Sequence, residues 1–146
     1  MKKSSNREIT RFFRFRNTKS YGFTLENYSY ELLLSLKPER IMFLITALLL
    51  ERKIILIKKE FGDIALIMES LVSLLNPLKW NFVFITYLTP KLIDCLEAPF
   101  PYIIGVSRKI WEDHCQMREF PDDIIIYDID QDNMLNKVKE EIPPLP

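Results

Sequence analysis

Glycine is scarce in this chain: Gly22, Gly62 and Gly105 are the only three in 146 residues, and no two lie near each other. Close backbone approach to a phosphate needs clustered glycines between a strand and a helix, so neither a dinucleotide-binding fingerprint nor a P-loop is present. Histidine is scarcer still, with His114 alone between Asp113 and Cys115. Adjacent residues on a helix point in different directions, so this trio makes no nucleophile–base pair, and a lone helical histidine reads as a surface or packing residue. Cys95 and Cys115 have no paired spacing. They read as small core residues, reduced, in a cytoplasmic setting. The longest apolar run, Ile41 to Leu50, is about half of what a bilayer span requires. The basic amino terminus lacks the apolar stretch and cleavage site of a signal peptide. The expectation is a soluble cytoplasmic protein without catalytic residues, metal or cofactor.

Two patterns imitate sites. Asp128-Ile129-Asp130-Gln131-Asp132-Asn133 spaces three carboxylates like the start of a calcium loop, yet its sixth position is Asn133 instead of glycine and its twelfth is Lys139. Lysine cannot supply the bidentate carboxylate, and a strand leads in where a helix should, so a strand end followed by an acidic turn is the better reading. Trp80, Phe82, Phe84 and Tyr87 form an aromatic stripe. Phe82 and Phe84 share one face of an expected strand with Val83 and Ile85 on the other, which is core material and no base-stacking platform.

Charge sums to zero but is divided. Residues 1–20 hold seven Lys/Arg against one Glu, and residues 112–146 hold three against ten Asp/Glu. Two ends of opposite sign, +6 and −7, do not make a nucleic-acid-binding body. Within the basic end, Arg11-Phe12-Phe13-Arg14-Phe15-Arg16 alternates cation and ring. Such a segment could adhere to an anionic membrane surface, or be an ordinary charged tail or displaced strand.

What is abundant is apolar pattern. Ala47 through Ile57 runs from an apolar helix through Glu51, Arg52 and Lys53 into an all-apolar strand. A strand apolar at every position must be covered on both faces, as in a parallel α/β sheet. The pattern predicts helices over 26–34, 39–51, 63–75, 90–97 and 108–117, with strands over 54–58, 81–87, 102–106 and 124–128. Pro38 and Pro90 fall at first helical turns, with Thr89 as a cap for the second. The 39–51 helix is apolar nearly all round and so is expected to be buried and central. Interleaved strands and helices of similar length call for right-handed crossovers. The expected fold is α/β, a layered, mostly parallel sheet of about four to five strands with helices on both faces. Residues 1–25 form a basic arm, 26–142 the core, and 143–146 a Pro-rich exit linker.

Four blocks in order carry a family resemblance: Leu36-Lys37-Pro38-Glu39-Arg40-Ile41 with Ala47 to Ile57; Leu74 to Pro90, centred on Pro77-Leu78-Lys79-Trp80; Leu92 to Val106, centred on Leu96-Glu97-Ala98-Pro99; and Ile124 to Met134. Together they resemble the central part of a DENN domain over about residues 32–146. Lys37 and Arg40 stand where that pattern usually has Ser and Asn, which removes the preferred cap hydroxyl.

The resemblance implies a guanine-nucleotide exchange factor for a Rab GTPase in vesicle trafficking, cytoplasmic and peripheral on membranes, working by binding without bond-making. The alternative is a scaffold of the same fold that binds GTPases or joins a larger complex without exchange. Contact residues do not transfer by motif, because the shared motifs are largely core. Ligands of parallel sheets sit at the carboxyl ends of the strands. The candidate contacts there are Lys59, Glu60, Ser107, Arg108, Lys109, Asp130 and Asp132, and ordinary solvated loop charges explain each of them equally well.

Overall fold

The computed structural model describes residues 30–136. The basic arm, the first residues of the 26–34 helix and the exit linker lie outside them. Five strands form one sheet: β1 (Lys53–Lys58), β2 (Val83–Ile85), β3 (Tyr102–Ser107), β4 (Ile124–Asp128) and β5 (Asn133–Met134), in the order β2-β3-β1-β4-β5. β1 pairs in parallel with β3 and β4, and β2 in parallel with β3. Only the two-residue β5 runs antiparallel, against β4. The fold is thus α/β with a mostly parallel sheet.

Strand alternation divides the core in two. Ile54, Leu56, Ile103, Ile125 and Tyr127 face one side, beneath α1 (Pro38–Leu49) and α2 (Phe61–Ser73). Ile55, Ile57, Ile104, Val106, Ile124 and Ile126 face the other, under Leu88, Ile93, Leu96, Trp111 and Cys115. The cover there is thin, a 3₁₀ helix (Pro90–Glu97) and the short helix α3 (Arg108–Ile110) continuing as a π-helix (Trp111–Cys115). Trp111 stacks on Phe120 at 5.6 Å between ring centroids, and Tyr102 donates its hydroxyl to the Leu96 carbonyl at 2.8 Å. Burial pushes the Cys115 thiol up, the state of an inert core cysteine.

Several boundaries move for identifiable reasons. α1 begins on Pro38 as the spacing predicts, but it stops at Leu49. Glu51 takes φ 54°, and its N–H and that of Arg52 donate to the carbonyls of Leu48 and Ala47. This pair of bonds is a Schellman turn built without glycine, and it turns the chain sharply into β1. Nor is α1 buried all round: Leu44, Thr46, Ala47 and Leu48 face the core, while Met42 and Leu49 are exposed because a helix laid on a sheet hides one stripe. Thr89 sits at the cap of the 3₁₀ helix but its side chain makes no capping bond. The expected 81–87 strand shrinks to three residues at the sheet edge, and Phe82 and Tyr87 are exposed while Phe84 packs inward. The 108–117 helix gives way to the π-turn, where the Gln116 N–H reaches Trp111 O at 2.8 Å. His114 is exposed on that turn.

Candidate functional site

Connections decide where a parallel sheet opens. From β1 the chain leaves onto the face of α2, and from β3 onto the face of the π-helix. β1 and β3 are neighbours, so their carboxyl ends part to opposite sides and leave a crevice between Lys58 and Ser107. Such a switch point is where α/β sheets bind ligands.

Here the crevice is filled by the protein's own charges. Arg108, the first residue after β3, reaches across the end of β1 to Asp128 at the end of β4. Nη1 donates to Oδ2 and Nη2 to Oδ1, each at 2.6 Å. Asp128 is 1% exposed and also accepts the Gln131 N–H at 3.1 Å. A bidentate guanidinium is the pairing that best compensates a carboxylate out of water. Hydrogen bonding to Asp128 raises the Arg108 pKa against the opposing effect of burial.

Asp130 forms the second layer. Its Oδ1 takes Lys58 Nζ at 3.0 Å, its Oδ2 takes the Lys59 N–H at 2.7 Å, and Arg108 Nη2 stands at 3.4 Å. Burial pushes this carboxyl up, but the bonds from Lys58, Lys59 and Arg108 outweigh it and hold the pKa below the ordinary value.

Asp132 forms the third. It accepts from Lys37 Nζ at 2.5 Å, Arg40 Nε at 3.0 Å and the Tyr127 hydroxyl at 2.9 Å, and takes φ 46° to do so. Its pKa falls to about 2, chiefly through the Lys37 bond. Burial and the bond to Asp132 push the Tyr127 phenol up. Lys37 and Arg40, the two departures from the family pattern, therefore meet on one carboxylate and tie α1 to the turn after β4. The three alternate carboxylates that imitated a calcium loop each have a cation of their own.

Of the seven residues read from the sequence, Arg108 and Asp130 share one network and Asp132 anchors another. Ser107 is buried, its Oγ accepting the Ile110 N–H at 3.4 Å as the cap of α3. Lys59, Glu60 and Lys109 are exposed at the rim. Lys58, Asp128, Lys37, Arg40 and Tyr127 complete the networks and were missed. For Lys37 and Arg40 the signal was present, as paired cations replacing neutral residues. Asp128 showed itself as the one acid ending an apolar strand.

Beyond the crevice the rim changes character. Phe61, at the start of α2, and Tyr87, just past β2, touch at 5.0 Å between ring centroids, 54% and 39% exposed. Within β3 lies Gly105, where an added Cβ would stand 2.4 Å from Ile64 Cγ2 and 2.6 Å from the Thr86 carbonyl oxygen. The missing side chain lets α2 and the loop after β2 close over the end of β3. Among the described residues no helix is long and apolar enough to cross a membrane.

The comparisons agree with this architecture. A family model described as the DENN (AEX-3) domain matches residues 2–132. Elicitor of plant defense protein 1 from Verticillium dahliae is 37% identical over 106 residues, 72% of this chain and 9% of that one. DENN domain-containing protein 1C from Mus musculus is 32% identical over 117 residues, 80% of this chain and 14% of that protein. MAP kinase-activating death domain protein from Caenorhabditis elegans is 33% identical over 105 residues, 70% and 7% respectively. The chain thus spans between 7% and 14% of the length of these relatives. With the family model covering nearly all of it, the chain belongs to the DENN (AEX-3) domain family.

Proposed function

We propose that the chain binds a Rab GTPase at the carboxyl edge of its sheet and promotes GDP release in membrane trafficking. The observation that carries this reading is the filled crevice. A parallel sheet whose switch point is occupied by Arg108, Asp128, Asp130 and Lys58 offers a partner a stiff charged surface in place of a substrate cavity. Exchange needs no bond-making group. A factor that prefers the nucleotide-free conformation of the GTPase weakens GDP binding by that preference, and GTP reverses the complex. In this reading Lys59, Glu60 and Lys109 meet the GTPase directly, and Ser107, Arg108, Asp130 and Asp132 hold the rim in shape. The Arg/Phe alternation of residues 11–16 supplies attraction to anionic vesicle surfaces.

The test is a panel of Rab proteins loaded with a fluorescent GDP analogue and mixed with the chain. Faster release from one member supports exchange. A stable complex without release makes the chain a GTPase-binding scaffold, and neither result across the panel removes both readings. Because a GTPase clamp ordinarily needs two walls, residues 1–146 tested by themselves are expected to exchange slowly.

A further inference from the structure

We infer that Phe61, Gly62 and Tyr87 form the apolar seat on which that GTPase docks; the inference rests on the exchange reading and names its anchoring residues. Three independent observations meet at this spot. The two rings meet at a tilt of 49° with centroids 5.0 Å apart and much of their area in water, Phe61 at the start of α2 and Tyr87 just past β2. Large rings half out of water are the side chains that dominate binding energy at protein interfaces.

Gly62, beside Phe61 in the first turn of α2, has no internal reason to be glycine. Its φ is not positive, and a Cβ added there meets nothing within 4 Å. Glycine at an exposed helical position costs about 0.8–1 kcal/mol relative to alanine, so the fold loses stability to keep the backbone bare. A bare backbone next to two rings allows a partner's main chain to approach closely.

The surrounding charge selects the partner. Asp63, Asp128, Asp130 and Asp132 are all engaged by cations of the chain. Among the described residues the side chains of Lys59, Lys109 and Glu60 have no such partner, and together they leave one positive charge at the rim. The seat therefore fits a protein surface that offers an apolar side chain edged by acidic groups. The neighbouring crevice is already full, so a small apolar ligand would have only the exposed ring pair to bind.

The experiment titrates the full chain with the nucleotide-free form of the panel member it engages best, by calorimetry, with thermal unfolding of every variant alongside. Replacing both rings (Phe61→Ala with Tyr87→Ala) is expected to weaken the complex about 30-fold or more. Gly62→Gln is expected to raise the unfolding temperature and yet weaken the complex about tenfold, by placing a side chain in the seat. Lys59→Glu with Lys109→Glu is expected to weaken the complex and flatten the salt dependence of its affinity. A wild-type complex unaffected by the ring and Gly62 variants overturns the seat and leaves the exchange reading standing. If the ring variant fails to fold, Gly62→Gln decides alone. Failure of the wild type to bind any panel member removes the exchange reading and the seat with it. Self-association of the chain that disappears in Phe61→Ala assigns the rings to a second copy and overturns the GTPase as occupant.

Discussion

The rim of the sheet has two halves built on opposite terms. Over the ends of β1, β3 and β4 the three aspartates of the 128–132 turn are all engaged: Arg108 clasps Asp128, Lys58 and the Lys59 N–H take Asp130, and Lys37 with Arg40 takes Asp132. Over β2 and the start of α2, Phe61 and Tyr87 are left in water beside a glycine that fills no space. Buried charge pairs add little net stability but cannot be broken cheaply, so the first half is rigid. Exposed rings and bare backbone contribute little to folding, so the second half is free to contribute to binding. In the proposed reading, such a division separates the part that holds shape from the part that meets a partner.

The sharpest way to break the comparison is Arg108→Ala. It strands the carboxylate of Asp128 in a buried site, and the expected loss is about 3 kcal/mol of folding stability by chemical denaturation. A loss near zero would mean that water replaces the guanidinium and that the first half is not rigid. Gly105→Ala comes next, because the new methyl group meets the Thr86 carbonyl and Ile64 and must push α2 from the loop after β2. A loss of about 2 kcal/mol is expected, together with separation of the Phe61 and Tyr87 rings in a crystal structure of the variant. Gly62→Ala on the open half should run the other way and stabilise by about 0.8 kcal/mol. Destabilisation there would give Gly62 an internal role and remove a reason to read the seat as a docking point.

The smallest effect is a pH dependence. Asp132 is held at about 2 against an ordinary 3.8, so its ion pairs stabilise the fold above about pH 4 and are lost as pH falls toward 2. Unfolding midpoints measured across that window should drop less steeply for Asp132→Asn than for the wild type. Equal slopes would show that the Lys37 and Arg40 contacts do not persist in solution.

Much of the fold was legible because burial writes a periodic signal. Ile54 to Ile57 and Ile124 to Tyr127 are apolar at every position, which only a doubly covered strand requires. The failures have a common cause in context. The alternation through Phe82 and Tyr87 has the period of a strand, yet the sheet pairs only Val83–Ile85, and an edge position leaves the outer rings uncovered. Glu51 offered no turn residue to read, because the two bonds closing the Schellman turn bear the strain of its positive φ. The π-turn at Trp111 follows from seating Trp111 and Cys115 together in the second core, which no local propensity announces.

The seven candidate residues were chosen by one topological rule, and in the fold they lie along the carboxyl edge of the sheet. It could not separate engaged charges from free ones. Arg108 and Lys109 are adjacent and chemically alike in sequence, yet one spans the end of β1 to a buried carboxylate and the other points to water. What the order of residues determined was where most of the helices and strands lie and which faces are apolar, since these depend on local spacing. Which cation meets which acid across 20 or 92 residues of chain was decided only by folding, because those distances exist only after the strands have aligned.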